Sequence, residues 1–192
     1  MQTQSLKMWC LKGLIGALST LSALSAEAHV VLTQKSAPVG GYFRAQFMVG
    51  HGCEGSATVA VQVDLPDGVP VARPQPKSGW TLSYETGPLA EPANVHGKMK
   101  TEGIRRVIWR GGPLPDEQYD EFTLLVFLAK PGEQRFRVLQ TCETGQNDWA
   151  EAYSGSGPKP TFPAPLLTVT PAVEAAPVPT DDSGATHQHH HH

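Results

Sequence analysis

Thr58-Val-Ala-Val-Gln-Val-Asp-Leu65 is the stretch that decides the fold class. Val59, Val61, Val63 and Leu65 recur at every second position, which places them on one face of an extended strand. Pro66-Asp67-Gly68 follows at once and turns the chain. Working outward, Tyr42-Phe-Arg-Ala-Gln-Phe-Met-Val49 has strand composition with imperfect alternation. Further strands are expected at Trp80-Thr-Leu-Ser-Tyr84, Arg105-Arg-Val-Ile-Trp109, Phe122-Thr-Leu-Leu-Val-Phe-Leu128, Arg135-Phe-Arg-Val-Leu-Gln140 and Leu166-Leu-Thr-Val169. Gly111-Gly-Pro-Leu-Pro115 and Lys130-Pro-Gly132 read as separators. The 122–128 stretch is apolar nearly throughout and suits a central strand covered on both faces. No long amphipathic helix is legible. Seven or eight short strands with frequent turns, in a chain with 19 Gly and 17 Pro, predict an all-β antiparallel sandwich.

The two ends differ from this middle. Residues 1–28 carry Lys7 and Lys12, then the apolar run Leu14-Ile-Gly-Ala-Leu-Ser-Thr-Leu-Ser-Ala-Leu24, then Ala26-Glu27-Ala28. These are the three parts of a secretory signal with a small-x-small cleavage site. The run is too short for a normal membrane span, and no later run reaches the ~18 apolar residues a span needs. Cleavage after Ala28 leaves 164 of the 192 residues, enough for one domain and a tail. Removing Lys7, Lys12 and Glu27 from the chain's 15 basic and 18 acidic residues leaves 13 and 17. That mild acidity excludes a nucleic-acid footprint, which needs a concentrated basic face. Residues 171–192 form a Pro/Ala linker that cannot build a core, ending in Thr186-His-Gln-His-His-His-His192. The ending is either a native metal-gathering tail or part of a tag; the interrupting Gln188 and the retained signal favour the former.

Cys10 leaves with the signal, so the mature chain holds Cys53 and Cys142. An even pair in an exported protein is most simply a disulfide, worth up to about 4–5 kcal/mol for so long a loop. The competing use is as a pair of thiolate copper ligands.

Three polar islands bear on function. Cleavage would make His29 the first residue, giving one residue two donors, the α-amine and the imidazole Nδ1. Such a chelate suits a divalent transition metal, with Cu(II) bound most tightly in the Irving–Williams order. Gly50-His51-Gly52-Cys53-Glu54-Gly55 is the second island. His51 and Glu54 are ligand candidates there, against a solvated loop whose one essential member is the cysteine. The third is Thr141-Cys-Glu-Thr-Gly-Gln-Asn-Asp-Trp-Ala-Glu151. A disulfide would draw the second and third islands together, bringing Glu54, Glu143 and Trp149 toward one neighbourhood. Trp80 and Trp109 read as core. Trp149, among Asn147, Asp148 and Glu151, reads as partly exposed, and His96 as a solvated loop residue. The chain has no Gly-x-Ser-x-Gly elbow, His-Glu-x-x-His pair or phosphate-binding glycine loop.

Several short motifs, in this order, resemble the YcnI-like family of exported copper-binding domains. They are Ala28-His29-Val30, Val63-Asp-Leu-Pro-Asp-Gly-Val69, Val107-Ile-Trp-Arg-Gly111, Asp120-Glu-Phe122 and Trp149. The resemblance covers roughly residues 29–170. It implies an immunoglobulin-like sandwich holding Cu(II) in a single-histidine brace, carried over here as His29, Glu54 and Trp149. Glu143 and Glu151 are rivals for the acid, because the cysteines beside Glu54 depart from the family pattern. The Pro/Ala tail departs from members that end in a membrane anchor. The expected function is a periplasmic or secreted protein, not an enzyme, that buffers copper or delivers it to other copper-handling exported or membrane proteins. A histidine-brace copper oxidase or monooxygenase using His51, and a metal-free structural module, are the alternatives.

Overall fold

The computed structural model describes residues 29–153 and 155–172. The expected signal, residues 1–28, and all but the first two residues of the expected 171–192 tail lie outside the described residues. Twelve strands are described, in chain order β1 (Val31–Leu32), β2 (Ser36–Pro38), β3 (Tyr42–Val49), β4 (Thr58–Asp64), β5 (Val71–Pro74), β6 (Trp80–Val95), β7 (Lys98–Leu114), β8 (Asp120–Phe127), β9 (Gly132–Arg135), β10 (Arg137–Cys142), β11 (Gln146–Trp149) and β12 (Leu166–Thr170). One sheet has the order β1-β3-β8-β5, a second β11-β10-β4-β7-β6 and a third, smaller one β2-β12-β9. All pairs are antiparallel except β2 with β12. The molecule is a β-sandwich, as the alternation predicts, and an immunoglobulin-like one, as the resemblance implies. No helix of the described residues is long and apolar enough to cross a membrane.

The core lies between the two larger sheets. Phe47, Phe122, Leu124 and Val126 from one meet Val61, Val63, Val107, Trp109 and Val138 from the other, all fully buried. Phe122 takes Trp109 and Trp80 edge-on, with ring centroids 5.5 and 4.9 Å away. Such pairs add about 0.5–1.5 kcal/mol beyond area burial. Trp109 is core, as expected, whereas Trp80 packs at the rim, partly buried. β8 is central, between β3 and β5, but Leu125 on its outer face is 38% exposed, so that face is not fully covered.

Four departures from the sequence reading have local causes. The register of β4 shifts between Thr58 and Ala60, so the alternation holds from Val61 onward and Thr58, not Val59, is fully buried. The stretch 135–140 is not one strand: at Phe136 the chain leaves the small sheet and joins the five-stranded one. Gly111-Gly-Pro-Leu-Pro115 does not end its strand, because β7 runs on to Leu114. Finally, β6 and β7 form one long hairpin that turns at His96 and Gly97, both at positive φ, as a tight two-residue hairpin turn requires. Pro88 and Pro92 hid it in the sequence. They are tolerated because β6 is an edge strand, where a missing N–H costs no ladder bond. His96 is exposed at the tip, yet its ring stacks on Tyr42, 5.8 Å away.

Candidate metal centre

His29 enters the fold immediately before β1 and is 8% exposed. Its ring meets the indole of Trp149 edge-on at 5.5 Å. Lys159 Nζ donates to His29 Nδ1 at 3.3 Å, so that nitrogen carries the lone pair. His29 also borders a groove of about 420 Å³ that Lys35, Tyr153, Lys159, Pro165 and Leu166 help to line.

Trp149 ends β11, opposite Val138 on β10, and is 3% exposed. The partly exposed position read from its polar neighbours is therefore corrected. Strand alternation sends Asp148 outward and Trp149 inward. Arg137 grips Asp148 with two bonds, Nε to Oδ1 at 2.8 Å and a terminal guanidinium nitrogen to Oδ2 at 2.6 Å. These bonds hold the Asp148 carboxyl below the usual carboxylate range and raise the Arg137 guanidinium. Phe162 covers the indole from another side at 5.2 Å, and the Trp149 indole N–H donates to Gln140 Oε1 at 3.1 Å.

The second island reaches the same indole from the turn after β3. Its His51 ring lies 6.5 Å from that of Trp149. The His51 Nδ1 sits on the neighbouring Gly52 carbonyl, and the His51 carbonyl accepts from Gln140 Nε2 at 2.7 Å. Gly52 N–H donates to Asp116 Oδ1 at 2.8 Å, and a Cβ on Gly52 would stand 1.8 Å from the Ser56 carbonyl oxygen. No other residue fits there without moving the backbone. One step on, Cys53 is bonded to Cys142 with Cα atoms 5.9 Å apart, so the expected disulfide is present.

The three acids are not equivalent. Glu54 is exposed, at φ 51° in the turn that Cys53 and Ser56 close by exchanging main-chain bonds. It edges a hollow of about 270 Å³ with Ser56, Thr144 and Asn147. Glu143 is exposed on the same disulfide, its N–H donating to the Ala57 carbonyl. Glu151 lies beyond Trp149, and its Oε2 accepts from Phe162 N–H at 2.6 Å. The fold thus brings His29, Trp149 and His51 together, and the disulfide joins the turn of Glu54 to the strand before Glu143. Among the described residues, no three His, Cys, Asp or Glu side chains form a group able to hold a metal ion. Side chains alone leave the donor set short, so a metal held here would need main-chain nitrogen as well. Sequence reasoning passed over Gln140, Lys159 and Phe162. Gln140 had a usable signal, a polar residue on the inward phase of an alternating strand.

A family described as a domain of unknown function (DUF1775) matches residues 29–169. This chain belongs to that family. The DUF1775 span opens on His29 and closes within β12, so it takes in the whole sandwich. Among solved structures, the chain is similar to an uncharacterized protein from Nocardia farcinica with an immunoglobulin-like fold. Identity is 27% over 74% of this chain and 99% of that one, with a TM-score of 0.58. A second similarity, to the seventh ScaB type I cohesin of Pseudobacteroides cellulosolvens, has 13% identity over 85% of this chain and 97% of that one. Its TM-score of 0.36 supports no inference. No curated protein matches the chain.

Proposed function

We propose that this DUF1775 domain is a YcnI-like copper carrier of an exported compartment, binding Cu(II) at an N-terminus that begins with His29. The observation that carries the reading is the seating of His29, buried edge-on against Trp149 at the first residue of the family span. Cleavage after Ala28 frees the backbone nitrogen of His29, and amine and Nδ1 then form a chelate on one residue. A carboxylate, Glu54 in this reading, supplies a hard oxygen donor. Metal and Lys159 compete for the same Nδ1 lone pair, so uptake displaces the lysine from it. The amine must also lose a proton whose unperturbed pKa is about 7.7–8.0, so affinity falls as pH falls. Copper is cargo here. The reading assigns no reaction, and the groove beside His29 gives a partner protein access to the donor end.

His51 favours a second reading. Its ring shares the Trp149 indole with His29, and a copper oxidase or monooxygenase of the histidine-brace kind would use it as a second imidazole. Reduction and turnover assays with added reductant separate the two.

The test places one glycine before His29 in the exported protein, with the tail histidines replaced by serine. Losing even an indirect partner of a metal ligand costs about 10–100-fold in affinity, so losing the amine should cost at least that much. Equal Cu(II) binding by the glycine-extended and authentic proteins refutes the carrier site. No stoichiometric copper in either favours a metal-free structural module.

A further inference from the structure

The inward face of β10 carries Val138, Gln140 and Cys142 in succession. An amide between an aliphatic side chain and a disulfide is an expensive choice, because a buried polar group left unpaired costs about 1–3 kcal/mol. Gln140 is 1% exposed, and its amide is fully engaged. Oε1 accepts from the Trp149 indole N–H at 3.1 Å. Nε2 donates to the His51 carbonyl at 2.7 Å and to Thr58 Oγ1 at 2.8 Å. Thr58 is available only because the bulge in β4 turns it inward.

The two residues that Gln140 holds come from opposite ends of the domain. Trp149 arrives along the neighbouring strand, and His51 lies 89 positions earlier in the chain. Their rings meet each other, and the indole is the surface on which His29 rests. The turn that carries His51 is already anchored without the amide, by the Cys53–Cys142 bond and by Asp116 on Gly52 N–H. What Gln140 adds is aim. Its carbonyl oxygen fixes which edge of the indole points inward, and its NH2 group ties the His51 main chain to that same orientation.

We propose that Gln140 is a positioning residue of the metal site, one buried amide that locks the Trp149 indole and the His51 turn into the wall that seats His29. The proposal rests on the copper reading given above. A site of this kind works only if its walls hold the donors to within about 0.5 Å, and a single amide bonded to both walls meets that demand.

The test compares the exported protein, tail histidines replaced by serine, with its Gln140→Met and Gln140→Glu variants. Methionine keeps nearly the same shape and loses both hydrogen-bonding roles. Glutamate, which burial favours in its protonated form, keeps the acceptor for Trp149 and only one of the two donors of the amide. Leu124→Ala, a core truncation on the facing sheet, controls for lost stability alone. Cu(II) affinity is read by competition with a chelator, the metal environment by paramagnetic resonance, and folding by thermal melts. Gln140→Met should lose about 10–100-fold in affinity and change the resonance spectrum. Gln140→Glu should fall between it and the parent, and it carries the test if the methionine variant does not fold. Leu124→Ala should melt lower with unchanged affinity and spectrum. Affinity in Gln140→Met within about threefold of the parent, or a loss matched by Leu124→Ala, overturns the role. A parent that takes up no copper overturns the copper reading and this role together. A parent that binds beside a Gln140→Met that binds equally overturns this role alone.

Discussion

Replacing both Cys53 and Cys142 with alanine should cost the fold more than any single surface change. The bond closes a loop of 89 residues between two sites that are each 4% exposed. On the chain-entropy model, cross-linking a loop of that length removes about 15 cal/mol/K from the unfolded chain, or about 4.6 kcal/mol at 25 °C. Measured disulfides commonly deliver about 2–4 kcal/mol, so the expected loss lies between about 2 and 4.6 kcal/mol. For a domain of this size each kcal/mol moves the melting temperature by roughly 2–4 °C, so a drop of roughly 4–18 °C is expected. Urea unfolding followed by tryptophan fluorescence measures both the free energy and its dependence on denaturant. The cross-link acts on the unfolded chain, so the alanine pair should also show a larger m value, because its unfolded state expands further. A loss under about 1 kcal/mol with an unchanged m value would refute the reasoning, and the bond would then be a local clip with little effect on the unfolded ensemble.

Asp148 gives a pH signature. Its carboxyl is held low by Arg137, so the pair stabilises the fold above the unfolded pKa of about 3.9 and that contribution is lost as pH falls through the lower folded value. Arg137→Met should raise the Asp148 pKa seen by NMR and flatten the acid limb of the stability curve. The pair is solvent-exposed, so the change at neutral pH should cost no more than about 1 kcal/mol. Trp149→Phe leaves Gln140 Oε1 without its donor, which should cost about 1–3 kcal/mol in urea unfolding. The same variant leaves the Gln140 tie to the His51 carbonyl in place, so it should keep much more Cu(II) affinity than Gln140→Met, and it should lose the copper-dependent fluorescence quenching assigned to that ring; unchanged quenching would place the metal elsewhere. Glu54→Gln should lower Cu(II) affinity and alter the paramagnetic spectrum, while Glu143→Gln and Glu151→Gln do neither. A damaged Glu143→Gln beside an intact Glu54→Gln would move the acid across the disulfide.

The sandwich was legible wherever one face is buried and the other wet. β3 matches its expected span residue for residue, and β4 and β8 differ only at their ends. Such strands write their burial into a period of two. The inner parts of β6 and β7, at 80–84 and 105–109, were legible, but the arm that extends beyond them was not, because most of it is exposed, so no alternation marks it, and its prolines and glycines read as breaks. The short strands β1, β2, β5 and β11 are set by pairing with longer neighbours, and two to four residues carry no period of their own. At the site, cysteine arithmetic found the disulfide, and the processing pattern singled out His29. The sequence could not show that Trp149 is buried, because its burial comes from distant residues, Phe162 and His29, folding over it. Nor could it rank the acids, since Glu54 and Glu143 flank one covalent bond from its two sides.

The most direct test of the copper account is the metal stoichiometry and nitrogen coupling of protein processed to begin at His29. The protein should have its N-terminus verified as His29 and its tail histidines replaced by serine. The account predicts one Cu(II) per chain, with nitrogen couplings that change when ¹⁵N is placed in histidine and that include the amine as well as the imidazole. Substoichiometric copper, or a spectrum with imidazole coupling alone that survives acetylation of the α-amine, would contradict it.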